Sequence, residues 1–206
     1  DPLWKTTTHL NPRANDLTAM MNSLTDLSES RNISVKRYDH SIGRFTSAIS
    51  LRHNDFVVVS GLLVFYTPQM RDRCDIKIFL DMDEDLRRYL KIQRDVGSRG
   101  HSVEEVIAAL EGRVEDAERF INPQNQNADV VFRISPVRPI RPDDERPLEN
   151  IPLQLGISLR YSLYHEQLIR LLISGCGLTV EHDLDDANSS IELLVNGDVY
   201  GDDLNT

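Results

Sequence analysis

From Asp75 to Val114 the chain reads DIKIFLDMDEDLRRYLKIQRDVGSRGHSVEEVIAALEGRV, and Val130-Val131-Phe132-Arg133-Ile134 follows. Asp75 to Leu80 opens on an acid and continues as an apolar run, the pattern of a buried strand. Asp83 stands at an N-cap position, and Leu86, Tyr89, Leu90 and Gln93 line one side of a helix running to about Val96. Gly97 to Gly100 is expected to interrupt it. Ser102 with Glu105 forms a capping-box pattern, and Val103, Val106, Ile107, Leu110 and Val114 carry the next helix. Val130 to Ile134 is another buried strand. Strand, helix, helix, strand predicts an α/β protein with a mostly parallel sheet flanked by helices.

Upstream, Asn11-Pro12-Arg13 is expected to open a helix that Leu17, Met20, Met21, Leu24 and Leu27 continue at steps of three and four. Asn32 to Tyr38 alternates as a short strand, and Asp39 to Gly43 is a loop. Asp55 to Val59, closed by Ser60-Gly61, predicts a buried strand of the same sheet. Downstream, Pro136 to Pro147 holds four prolines and reads as a linker or crossover. The remainder reads strand (Leu153–Tyr161), helix (Leu163–Ile173), strand (Leu178–His182) and strand (Ser190–Val195), with a turn at Asn196-Gly197. Two parts are therefore expected: 1–150 as the α/β domain, and 151–206 as a small C-terminal β-α-β-β extension, beside the main sheet or as a domain of its own.

The 206 residues are 40% hydrophobic and 27% charged, which excludes collagen-like and wholly disordered classes. Apolar runs such as Leu62-Leu63-Val64-Phe65 are far short of a membrane span, so no membrane partner is expected. The opening Asp1-Pro2-Leu3-Trp4-Lys5 shows no secretory pattern. Cys74 and Cys176 form neither a zinc pattern nor a disulfide framework, and a reducing, cytoplasmic setting is the simplest reading. The net charge of −10 argues against nucleic acid as a partner. Yet Arg87, Arg88, Lys91, Arg94 and Arg99 crowd into thirteen positions, while residues 156–206 carry nine acids against Arg160 and Arg170. A local cationic site on an acidic protein suits a small anionic ligand.

Six stretches, in order and at similar gaps, resemble the phosphoribulokinase and uridine kinase family: THLNPRANDL (8–17), YDHSIGRF (38–45), VVVSGLLVFY (57–66), CDIKIFLD (74–81), KIQRDVGSRGHS (91–102) and FINPQNQNADVVF (120–132). The phosphoribulokinase branch fits best, through NPRAN, QRDxxxRGHS and the late Pro142-Asp143-Asp144. The resemblance implies the P-loop kinase fold and transfer of a phosphoryl group from ATP, with Mg²⁺, to a hydroxyl of a small metabolite: a pentose phosphate, a nucleoside or a related alcohol.

It also marks two departures. The phosphate loop of such kinases reads GxxxxGK[ST], and none of the 206 residues forms it. The chain is thus expected to start after the first strand and helix of the fold, as a fragment of a longer protein or as a degenerate relative, and to be inactive alone. Where the family has a glutamate after the central strand, Ser60 stands here. Either catalysis is lost or the acid is placed elsewhere.

By resemblance, Arg94 leans toward the acceptor and Arg99 belongs to a lid closing over the transferring group, with Gly97 and Gly100 as its hinges. Charge spread over three oxygens in a loose phosphoryl-transfer transition state matches planar guanidinium groups. Read blandly, both are arginines of an exposed helix end. Asp95 reads as an orienting salt-bridge partner, and His101 as a nucleotide-phosphate contact or a residue that starts a helix. Tyr38, Asp39, His40 and Arg44 sit where the family recognises its acceptor; the plain alternative is a polar loop. Arg13 reads as an anion contact or, preferably, a solvated residue; Asp81 and Asp83 could pass for a metal pair, but helix N-capping by one of them explains the spacing, so no metal ligand is assigned. The leading expectation is an ATP-dependent small-molecule kinase domain. A non-catalytic binding or assembly module on the same fold is the alternative. A homo-oligomer and a fusion to another domain both stay open.

Overall fold

The computed structural model describes residues 7–39, 43–144, 146–160, 165–175, 177–185 and 190–196. They fall into two compact units, one drawn from Asp1–Asp75 with Asp116–Pro123, the other from Ile76–Glu115 with Gln124–Thr206.

In the first unit, Asn11-Pro12-Arg13 does not open the long helix. Pro12–Ala14 is a separate 3-10 turn capped by Asn11, and α1 (Leu17–Ser28) starts afresh with Asp16 accepting from the Ala19 amide at 2.9 Å. Asp116 holds the turn from elsewhere in the sequence, accepting from Thr8 Oγ1 at 2.7 Å and Asn11 Nδ2 at 3.3 Å. β1 (Ile33–Val35) and β2 (Tyr38–Asp39) are two strands rather than one. β2 pairs antiparallel with β3 (Arg44–Phe45), and β1 with β4 (Ile49–Leu51). α2 (Pro68–Arg71) is capped by Thr67. Leu24, Ile33, Leu63, Val64, Phe65 and Met70 are the buried side chains.

Asp55 to Val59, expected as a buried strand, is not one. It joins no ladder, and Phe56 and Val58 are 89% and 94% exposed. A β-branched run records an aversion to water, but a strand exists only where a neighbour accepts its backbone hydrogen bonds. Among the described residues none does.

The second unit is built on a five-stranded sheet of order β5-β6-β7-β9-β8, from β5 (Ile78–Met82), β6 (Val130–Pro136), β7 (Leu153–Arg160), β8 (Thr179–Asp185) and β9 (Ser190–Asn196). β5 and β6 run parallel, Leu80 opposite Phe132, because the helices α3 (Glu84–Arg99), α4 (Val103–Glu111) and α5 (Val114–Asp116) carry the chain back between them. The remaining ladders are antiparallel, so this α/β sheet is mixed. The C-terminal strands lie within the same sheet: β7 pairs with β6 along its whole length.

Alternation along the strands makes one face apolar. Val130, Ile157, Leu159, Ile191, Leu193 and Val195 form its main core, against which Leu168, Ile169 and Leu172 pack from the helical stretch that begins with α6 (His165–Arg170). A second cluster joins Leu86 and Tyr89 of α3 to Ile140, Ile151 and Leu153. The proline-rich connection between β6 and β7 is therefore no loose linker: its apolar residues pin α3. Asn196 of the expected turn ends β9 while Gly197 lies outside the described residues, as do Leu163 and Tyr164 at the start of the expected C-terminal helix.

Candidate active site

α3 is the element that places the cations. Asp83 caps it, accepting from the Asp85 and Leu86 amides at 3.1 Å each, and Glu84 and Asp85 in its first turn suit the positive end of the helix dipole. Its buried side is Leu86, Tyr89 and Ile92; Gln93, expected there, is exposed. Gly97 does not interrupt the helix, which runs on to Arg99 and ends only at Gly100, at φ +72°. The Gly100 and His101 amides both close onto the Asp95 carbonyl. Ser102 and Glu105 then form the reciprocal capping box that starts α4.

The five clustered cations separate into two groups. Arg87 and Arg88 pair with Glu84 on the outer surface. Lys91, Arg94 and Arg99 converge on Asp95, which is 5% exposed. Lys91 Nζ donates to Oδ2 at 2.8 Å and Arg94 Nε to Oδ1 at 2.8 Å, while Arg99 Nη1 lies 3.2 Å from Oδ1. The hydrogen bonds from Arg94 and Lys91 hold the Asp95 carboxyl well below the usual carboxylate range. Arg94 and Arg99 keep about half of their side-chain surface in solvent, 54% and 56%. Lys91 stands in the basic cluster, yet the sequence alone does not mark it as a member of the site. Its spacing of four from Asp95 on one helix face is the trace it leaves in the sequence. His101 is exposed, with Nδ1 3.6 Å from Glu105 Oε2.

In the first unit, Tyr38 and Phe45 meet edge to face at 5.2 Å, and Asp39 lies opposite Arg44 in the two-residue ladder. Gly43, at φ +63°, turns the chain between them. His40, expected with this group, lies outside the described residues. Ser60 is exposed, and Arg13 is exposed in its three-residue turn. Asp81 accepts from the Met82 amide at 2.9 Å and faces Arg133 at 3.7 Å, while Asp83 is the helix cap. Both acids are thus engaged by the chain itself. No cluster of three His, Cys, Asp or Glu side chains suited to a metal occurs among the described residues. With no phosphate-loop motif in the sequence either, the donors among the described residues compose at most an incomplete site for ATP with Mg²⁺.

Comparison with a solved structure, phosphoribulokinase from Rhodobacter spheroides, gives a TM-score of 0.66 at 20% identity, covering 93% of this chain and 69% of that one. The second unit and its relation to that structure define an α/β protein of the P-loop kinase fold. Residues 4–141 match the model of the phosphoribulokinase / uridine kinase family, and the chain belongs to that family. The chloroplastic phosphoribulokinase of Spinacia oleracea is 35% identical over 138 residues, 67% of this chain and 34% of that protein. The phosphoribulokinase of Synechocystis is 33% identical over 141 residues, 68% of this chain and 42% of that protein. Uridine-cytidine kinase B of Dictyostelium discoideum is 35% identical over 125 residues, 59% of this chain and 51% of that protein. The matches thus span 34% and 42% of the length of the Spinacia and Synechocystis phosphoribulokinases. No described helix is long and apolar enough to cross a membrane.

Proposed function

We propose that this chain is the acceptor-binding and lid-bearing part of an ATP-dependent kinase that phosphorylates a hydroxyl of a small metabolite, a pentose phosphate, a nucleoside or a related alcohol. The observation that carries the reading is the end of α3, where Arg94 and Arg99 are gathered on one buried carboxylate yet remain half exposed. Guanidinium groups so placed answer the negative charge of a phosphorylated guest and of a transferring phosphoryl group. In this reading Arg94 and Arg99 act in catalysis, and Tyr38, Asp39, His40, Arg44 and Arg94 bind the acceptor. Arg99 and His101 meet the nucleotide. ATP and Mg²⁺ belong to the parent enzyme, whose phosphate loop and general base this sequence does not supply.

The family match ends at residue 141, which supports treating 1–150 as the kinase-like part and 151–206 as an extension that widens the sheet. A cytoplasmic or otherwise reducing setting rests on the two widely spaced cysteines.

Ser60 and the missing loop favour a second reading, a kinase-fold binding or assembly module without turnover. A coupled ADP assay of the full-length gene product against a panel of pentose phosphates and nucleosides separates them. Turnover with one of these acceptors supports the kinase, and ATP binding or none without turnover supports the module. Efficient ATP turnover by the 206-residue chain alone contradicts the division of labour proposed here.

A further inference from the structure

We propose that the second face of the sheet, over β7, β9 and β8, docks a basic amphipathic helix of a partner protein. The helix rests on Gly156 and Leu194 and sets its cations against Glu181, Asp183 and Glu192. The inference is independent of the kinase reading, since it uses no residue of α3. Both apolar clusters of the second unit lie on the opposite face of this sheet. On the second face the register places Arg133, Gly156, Leu194 and Glu181 in one row across β6, β7, β9 and β8. Val131, Ser158, Glu192 and Asp183 form the next row. A glycine inside a strand weakens it and often marks a place where another chain approaches closely. Here Gly156, beside half-buried Leu194, lines a shallow hollow of about 360 Å³ that Glu181, Asp183 and Glu192 also border.

Charge selects the occupant. Glu181, Asp183 and Glu192 are exposed, and Asp183 stands directly opposite Glu192, a like-charge pair that destabilises a ladder. Ser158 Oγ donates to Glu192 Oε1 at 2.6 Å and so fixes that carboxylate on this face. Arg133, the cation of the first row, pairs with Asp81 on β5, on the side away from these acids. A second copy of a chain at −10 would set acids against acids, and the last residues of this chain add Asp198, Asp202 and Asp203. A cationic partner relieves the repulsion instead. The two strand spacings from β7 to β8 span about 10 Å, the width of one helix.

The test uses the 206-residue chain and a fluorescent amphipathic peptide of about 18 residues built from Lys, Leu and Ala. Anisotropy gives its affinity, and amide NMR maps where it sits. Binding is expected, with the largest shifts at Gly156, Ser158, Glu192 and Leu194. The double variant Glu181→Gln/Glu192→Gln is expected to weaken it about tenfold. Glu104→Gln/Glu111→Gln, an equal change of charge on exposed positions of α4, is expected to weaken it less than about twofold. Gly156→Val fills the hollow and is also expected to weaken binding, with circular dichroism unchanged, because its Cβ meets only Arg133, at 3.8 Å or more. Equal losses in the two double variants, or shifts centred elsewhere, overturn the proposal, since attraction to an acidic protein would then explain the binding. A peptide that fails to bind at low salt overturns it too. So does a dimer in sedimentation that Gly156→Val abolishes, which would assign the face to a second copy. If Gly156→Val does not fold, the shift map and the two double variants decide.

Discussion

The Tyr89 phenol donates a hydrogen bond to the backbone carbonyl of Arg146 at 2.6 Å, from a ring that is 1% exposed. It joins the middle of α3 to the connection between β6 and β7, fifty-seven residues further along the chain. Burial, then the charges of Asp144 and Glu149, raise the phenol's pKa above its ordinary value, so it stays a donor throughout the physiological range. The helix that carries Arg94, Asp95 and Arg99 is thereby held at its centre while its C-terminal turn remains open to solvent.

Tyr89→Phe is expected to cost about 1 kcal/mol of stability, by removing one hydrogen bond. Tyr89→Ala is expected to cost about 3–5 kcal/mol, through the lost packing against Leu86, Ile140, Ile151 and Leu153. Urea unfolding of the two variants measures both. Equal losses would mean that the ring contributes little beyond its hydroxyl.

Gly97 and Gly100 are expected to respond in opposite directions. A Cβ at either meets nothing within 4 Å, so only the backbone decides. Gly97 is helical, and Gly97→Ala is expected to stabilise by about 0.5–1 kcal/mol. Gly100 terminates α3 at φ +72°, and Gly100→Ala is expected to destabilise by about 1–2 kcal/mol. Thermal melts of the pair distinguish a helix that ends at Gly100 from one hinged at Gly97.

Asp144 accepts from the Arg146 amide, Nε and Nη2, which holds its carboxyl down to about 2. A carboxyl with a lower pKa folded than unfolded adds stability above its unfolded value, near 3.9, and loses it as the pH falls toward 2. The melting temperature of the wild type is therefore expected to fall across that window. Asp144→Asn should start lower at neutral pH and fall less steeply over the same range. Parallel curves for the two proteins would remove Asp144 from the acid response.

On the proposed kinase reading, Arg99→Ala in the full-length gene product is expected to lower kcat by about 10²-fold or more, the loss typical of a group that stabilises developing charge. Arg94→Ala is expected to raise KM for the acceptor as well. Steady-state kinetics over an acceptor series reads both. An unchanged kcat in Arg99→Ala would return that residue to the role of a surface arginine.

The starts of α3 and α4 were legible because capping is local, whereas the cap of α1 at Asp16 was not legible. Asp83 with Leu86, and Ser102 with Glu105, bond backbone within three residues of themselves, so their types and spacing suffice. Burial was harder to read. Ile92 took the place expected for Gln93, and Phe56 and Val58 stand in solvent, because both outcomes depend on what lies opposite. The arginines could be found from a motif, but their common attachment to Asp95 could not. It requires α3 to continue through Gly97 and bring Arg99 onto the same face, where the sequence signs suggested a break.

The order of residues alone determined the caps of α3 and α4, the family motifs and the excess of negative charge, since each is set by near neighbours or by composition. Tertiary structure decided the antiparallel addition of β7, β9 and β8 to the parallel pair, the docking of the proline-rich connection on Tyr89, and the charge balance around Asp95. Those depend on partners chosen across space. A ladder, a buried phenol and a shared carboxylate acquire their energies only when distant segments meet and water leaves between them.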